Sequence, residues 1–145
     1  MKRIVLPLLL SAAFVTGAHA GSSSIGWKKA YPGAIAEAKS SGKLIMIDFY
    51  TDWCGWCKKL DRDTFSDASL IKFLNNNFVC IKANAEDNAQ GQKLAGEYGV
   101  NGFPCSLVFD QSGKLIGRIS GFRDATTYEE SLNKLIAHPS PVWNN

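Results

Sequence analysis

Asp48-Phe49-Tyr50-Thr51-Asp52-Trp53-Cys54-Gly55-Trp56-Cys57-Lys58-Lys59-Leu60-Asp61 is the stretch whose reading decides the fold. On its upstream side, Leu44 to Tyr50 is apolar except for Asp48, the pattern of a central strand covered on both faces. On its downstream side Leu60, Thr64 and Phe65 continue a helical pattern, so the two cysteines fall where a strand hands over to a helix. Unpaired backbone N–H groups and the helix dipole favour a thiolate at such a junction. A cysteine there can titrate at about 3.5 to 7.5 instead of about 8.5. Cys54 is therefore the expected attacking sulfur, and Cys57, one turn into the helix, is placed to resolve a mixed disulfide formed on it.

Two carboxylates lie within reach of this pair in sequence. Asp48 interrupts an apolar strand, where ionisation is costly, so its pKa is expected to rise and a proton could pass between it and Cys57. Asp61 follows Cys57 by four residues and Cys54 by seven, which puts all three on one helical face. Its negative charge there would favour the thiol form. The blander alternatives are an Asp48 at a strand end facing water and a solvated Asp61 paired with Lys58.

Working outward, strand and helix signals alternate along the chain. Trp27, Ala30, Ile35 and Ala38 fall near helical spacing, with Pro32 suited to a first turn and Gly42 to a stop, giving a helix over Pro32 to Ser40. Ser66-Asp67 can cap a helix carrying Leu70, Ile71, Phe73 and Leu74, which Asn75-Asn76-Asn77 ends. Phe78 to Ala83 reads as a strand and Gln90 to Tyr98 as a short helix closed by Gly99. Cys105 to Asp110 and Leu115 to Ser120, joined by a Gln111-Ser112-Gly113 turn, read as an antiparallel hairpin, and Ala125 to Ile136 as a last helix. That order predicts one α/β domain with a mixed sheet flanked by helices and no internal repeat, over residues 21–145 with its core at about 27–137.

The two ends stand apart in composition. Lys2 and Arg3, the apolar run Ile4 to Val15 and Ala18-His19-Ala20 match a secretory signal peptide, residues 1–20, cut after Ala20. The apolar run is shorter than the roughly 18 to 20 residues a membrane anchor needs. Gly21 to Gly26 is Gly and Ser with one Ile, read as a mobile leader, and His138 to Asn145 as an irregular tail. Without Lys2 and Arg3 the chain carries 14 basic against 13 acidic residues, a net charge of +1, which gives no argument for nucleic acid or an anionic membrane as partner.

Export permits disulfides to persist. Among four cysteines the Cys54/Cys57 spacing singles out one pair. A lone C-x-x-C could instead be half of a zinc site, but zinc usually takes four N or S ligands, and Cys80, Cys105 and His138 are isolated residues. A purely structural bridge is disfavoured because so small a loop restrains the unfolded chain little. The expectation is redox work by the sulfur atoms themselves, with no cofactor and no metal. A metal-holding or recognition module is the alternative from another class.

These residues resemble a known family. Asp48 to Lys58 is similar to the active-site segment of the thioredoxin superfamily, and Thr64-Phe65-Ser66-Asp67 with Gly121-Phe122-Arg123-Asp124-Ala125 most resembles the C-terminal periplasmic domain of the thiol:disulfide interchange protein DsbD. The match runs from about Gly42 to Ile136 and implies a thioredoxin-like fold. It implies Cys54 and Cys57 as the redox pair, Asp48 and Asp61 as acids that tune it, and Lys82 near the buried Asp. It also implies a cis bond at Phe103-Pro104 facing the cysteines, with Trp53, Gly55, Trp56, Phe103 and Pro104 meeting the substrate. Such a turn could offer backbone groups to an extended substrate strand. The implied function is a periplasmic thiol-disulfide oxidoreductase, mainly a reductant of protein disulfides recharged by a membrane-bound donor, with an oxidase or isomerase as the alternative. Gly55-Trp56 differs from the common inner dipeptides, and Cys105 stands where relatives often carry Thr. Cys105 either approaches Cys54 as a third thiol or packs as a small apolar residue, and free cysteine's apolar character favours packing. Cys80, inside a strand, is expected to be buried and inert.

Overall fold

The computed structural model describes residues 22–86 and 89–139. The signal-peptide reading of residues 1–20 and the tail from residue 140 lie outside the described residues. In chain order the elements are α1 (Tyr31–Ser41), β1 (Leu44–Tyr50), α2 (Gly55–Asp63), α3 (Ala68–Asn77), β2 (Phe78–Asn84), α4 (Ala89–Glu97), β3 (Cys105–Phe109), β4 (Leu115–Ser120) and α5 (Ala125–Ala137). The four strands form one sheet in the order β2-β1-β3-β4, with β1 parallel to β2 and the other two pairings antiparallel. The expected α/β architecture with a mixed sheet is the one observed.

Alternation along β1 divides the core. Ile45, Ile47 and Phe49 face α1 and α4, together with Ile81, Leu94, Leu107 and Phe109. Met46 faces α2, α3 and α5, together with Leu60, Leu70, Leu74, Val108, Tyr128 and Leu132. Each large apolar side chain removed from water contributes about 1.5–3 kcal/mol. Four such residues from β1 alone, all fully buried, are enough to offset the several kcal/mol that burying one charged side chain in the same strand costs. That balance is what lets Asp48 occupy the middle of the sheet.

Local chemistry fixes the element ends. Pro32 sits in the first turn of α1, and Gly42 ends that helix at φ 71°, a left-handed conformation that a residue with a Cβ adopts at a cost. Asp67 caps α3 by accepting from Ser69 N and Leu70 N, and Asp124 caps α5 by accepting from Thr127 N. The helix after the cysteines stops at Asp63, short of the expected continuation. Thr64 and Phe65 turn inward, and Thr64 Oγ1 donates to the Arg123 carbonyl at 2.5 Å.

Two expectations about the start of the domain are corrected. Residues 22–26 of the expected mobile leader are packed against the domain: Ile25 is buried, Gly26 N donates to Asn75 Oδ1 at 3.0 Å, and Asn75 Nδ2 donates to the Ser24 carbonyl at 2.9 Å. One buried isoleucine and these hydrogen bonds outweigh the entropy that a Gly/Ser composition signals. Trp27 does not belong to the first helix. It lies in an extended segment where Lys28 bridges to Ile81 in parallel, adding a short fifth lane beside β2, and its ring meets Phe65 edge-on at 5.2 Å.

Candidate active site

β1 ends at Tyr50, the chain turns through Thr51 to Trp53, and Cys54 becomes the N-cap of α2. Its Sγ accepts from Cys57 N at 3.1 Å, so the sulfur occupies the place where a capping oxygen would sit. Cys54 and Cys57 are joined as a disulfide, with their Cα atoms 5.3 Å apart. Both are almost wholly buried, whereas the flanking indoles are among the most exposed apolar side chains described, Trp53 at 68% and Trp56 at 59%. Trp53 is held by an edge contact with Phe103 at 6.1 Å and by Nε1 donating to Glu86 Oε2 at 2.9 Å. Trp56 leans on Phe122 at 5.8 Å, over which Lys59 also sits. The two exposed indoles thus form an aromatic rim beside the concealed disulfide.

The Phe103-Pro104 bond is cis, as the resemblance implied. The loop lines an open cleft of about 320 Å³ together with Val100, Cys105, Arg118 and Ser120. Of the backbone groups this turn could offer a substrate strand, the Pro104 carbonyl already accepts from Gly121 N at 2.9 Å. Cys105 packs into the core on the α1/α4 side, and its nearest polar partner is Ser120 Oγ at 4.0 Å. Burial raises the Cys105 thiol pKa and pushes that of Cys80 to about 12, so both stay protonated at neutral pH.

Three polar side chains form one row across the sheet. Asp48 pairs in register with Lys82 on β2 and with Ser106 on β3. Its Oδ2 accepts from Lys82 Nζ at 2.7 Å and its Oδ1 from Ser106 Oγ at 2.9 Å, and the carboxyl is fully buried. The water-facing alternative for Asp48 is thereby excluded. Burial holds its carboxyl above the usual carboxylate range, opposed by the Lys82 ammonium and the two hydrogen bonds. For Lys82 burial acts downward, but Asp48 and Asp61 together outweigh it and its pKa is raised. The same ammonium lies over the rings of Trp27, Phe65 and Tyr50 at 5.0, 5.1 and 5.5 Å.

Asp61 makes its hydrogen bond to Lys82, not to Lys58. Helical spacing puts it on the correct side of α2, but spacing within one helix cannot supply the lysine that rises from the neighbouring strand to meet it. Ser106 and Tyr128 join the site without having been expected there. Tyr128 Oη donates to Ser106 Oγ at 2.6 Å, joining α5 to the carboxyl. The available signal is the one that marks Asp48: a polar residue within an otherwise apolar strand run, Cys105 to Phe109.

A mixed sheet with helices on both faces, whose first strand leads to a cysteine pair at a helix cap and whose third strand follows a cis-proline, defines a thioredoxin-like domain. The family model described as a thioredoxin-like domain matches residues 31–136, and the chain belongs to that family. Among curated relatives it is similar to the thiol:disulfide interchange protein DsbD of Citrobacter koseri, 38% identical over 149 residues, covering 90% of this chain and 26% of that protein. It is also similar to DsbD of Photorhabdus laumondii, 40% identical over 100 residues, covering 67% of this chain and 17% of that one. The chain thus spans about a quarter or less of the length of these relatives. Among solved structures, the oxidised C-terminal domain of Neisseria meningitidis DsbD superposes with a TM-score of 0.60 at 25% identity, over 71% of this chain and 90% of that one.

Proposed function

We propose that this chain is a periplasmic thiol-disulfide oxidoreductase that works mainly as a reductant of protein disulfides. The observation that carries the reading is the Cys54–Cys57 disulfide at the N-cap of α2, with the first sulfur receiving a backbone N–H. That hydrogen bond and the helix dipole stabilise a thiolate on Cys54 after reduction. The periplasmic setting is supported by the DsbD relatives and by the signal-like residues 1–20. No helix among the described residues is long and apolar enough to cross a membrane.

In the proposed cycle the Cys54 thiolate attacks one sulfur of a partner's disulfide, forming a mixed disulfide and releasing the partner's other sulfur as a thiolate. Cys57 then loses its proton and attacks Cys54 Sγ, which expels the second partner thiolate and closes the Cys54–Cys57 bond. Two electrons pass to the partner, whose sulfurs are protonated as thiols. A membrane-bound donor of two electrons restores the dithiol. Asp48 serves as the base for Cys57, and Asp61 acts through the Lys82 ammonium that the two carboxylates share. Trp53, Trp56, Phe103 and Pro104 form the surface that meets the partner, and Gly55 keeps that approach free of a side chain.

Insulin-disulfide reduction by wild type, Cys54→Ser and Cys57→Ser tests the reading, with turnover expected in the wild type alone. Equal rates in all three would remove the redox role. Equilibration with glutathione tests direction: a potential close to that of thioredoxin, about −270 mV, fits a reductant, and one near about −120 mV would make it an oxidase.

A further inference from the structure

Asp48 Oδ1 is the first atom of a buried chain that the proposed cycle does not use. Ser106 Oγ donates to it at 2.9 Å, Tyr128 Oη donates to Ser106 Oγ at 2.6 Å, and Tyr128 Oη also lies 3.5 Å from Met46 Sδ. Met46, Asp48 and Tyr128 are fully buried and Ser106 is 1% exposed. Three elements contribute: β1, β3 and α5.

We propose that Ser106 and Tyr128 are positioning residues, a hydroxyl relay that lets Asp48 hold and release its proton inside the sheet. The proposal rests on the reading above in which Asp48 serves Cys57.

Each hydroxyl has one hydrogen and can accept on its lone pairs, so the chain can be polarised in either direction. With Asp48 ionised, Tyr128 gives its hydrogen to Ser106 and Ser106 gives its own to Oδ1, and both dipoles point at the charge. With Asp48 protonated on Oδ1, the new O–H needs an acceptor in a place closed to water. Ser106 Oγ provides it by turning its hydrogen to Tyr128 Oη, whose hydrogen turns to Met46 Sδ. The only covalent change is the O–H bond on Asp48, and no buried oxygen of the chain loses its partner in either state.

The other groups around Asp48 are Lys82 and Cys80 on β2, Asp61 on α2, and Cys105 on β3 beside Ser106. Lys82 engages Oδ2, whereas Oδ1 takes its hydrogen bond from Ser106. Burial holds the Tyr128 phenol well above its usual range, so the relay changes hydrogen-bond direction and not charge.

The test is a carboxyl-carbon NMR titration of Asp48 in the oxidised full chain. Ser106→Ala removes a donor that favours the carboxylate, and the Asp48 midpoint should rise by about one pH unit. Tyr128→Phe should raise it less, the double variant should match Ser106→Ala alone, and Ser106→Thr should restore the wild-type midpoint. Midpoints unchanged in Ser106→Ala and Tyr128→Phe would overturn the relay, as would strictly additive shifts. Tyr128→Phe keeps the ring and its packing, so it decides the matter if Ser106→Ala does not fold. The pH profile of disulfide exchange in Asp48→Asn separates the two claims. A profile unchanged from wild type removes Asp48 as the base for Cys57, while the NMR shifts still report on the relay.

Discussion

Lys82 Nζ lies 2.7 Å from Asp48 Oδ2, the two residues being register partners on adjacent parallel strands. Neither side chain would be stable as a lone charge at that depth. Lys82 also reaches Asp61, so one ammonium serves a carboxylate on β1 and another on the helix that carries the cysteine pair.

Lys82→Met keeps most of the stem and removes the charge, leaving the Asp48 carboxylate with the Ser106 hydroxyl. Breaking a buried pair costs about 3–5 kcal/mol while the remaining partner is charged. The loss should approach about 3 kcal/mol at pH 8 and shrink at pH 5, where Asp48 can take up a proton instead. Urea denaturation at the two pH values checks this, and equal losses would contradict it.

Asp48→Asn should have the opposite tendency as pH rises. The folded-state pKa of Asp48 is raised above its ordinary 3.8 by burial, so between the two values the native state binds more protons than the unfolded chain. The wild type therefore carries a stability contribution that is full below pH 3.8 and is lost as pH rises through the folded pKa. Each pH unit that separates the folded and unfolded pKa corresponds to about 1.4 kcal/mol of that contribution. Lys82 titrates above this window and does not alter the slope. The stability of Asp48→Asn relative to wild type should increase from pH 4 to pH 8 in paired denaturation curves.

The exposed indoles offer a prediction about specificity. Trp53→Ala and Trp56→Ala remove side chains that are mostly in water, so stability should change by less than about 1 kcal/mol. Exchange with protein disulfides should slow several-fold, whereas exchange with oxidised glutathione, too small to span the rim, should be nearly unaffected. Stopped-flow mixing with quantification of the mixed and exchanged disulfides gives both rates.

Gly117→Ala probes the packing of α5, the helix that carries Tyr128. A Cβ there would lie 2.3 Å from Leu135 Cδ2, so the leucine must change rotamer or α5 must shift. A cost of about 1–2 kcal/mol in thermal denaturation is expected from overpacking. A displacement of α5 would also be read in the Asp48 titration through Tyr128.

Much of this is legible in the sequence for a physical reason. The order and kind of the elements follow from periodicity, which local residues encode, and Asp48 stands out by interrupting an apolar run. The cysteine pair is legible because its spacing is itself the chemistry. Less legible are contacts that depend on how one element crosses another. Sequence offers Asp61 only Lys58, a neighbour on its own helix, but Lys82 is brought to it from β2. Ser106 and Tyr128 meet only once β3 and α5 have packed. Gly21 to Gly26 reads as a mobile leader by composition, yet within it Ile25 is buried and Ser24 and Gly26 are hydrogen-bonded to Asn75.

The most direct test of the central claim is a disulfide-trapping map of reduced Cys57→Ser incubated with insulin, read by mass spectrometry of non-reduced peptides. A mixed disulfide on Cys54 that accumulates in Cys57→Ser and is absent from Cys54→Ser is the predicted result. Adducts of equal yield in Cys54→Ser, or carried instead by Cys105 or Cys80, would contradict the assignment of Cys54 as the attacking sulfur.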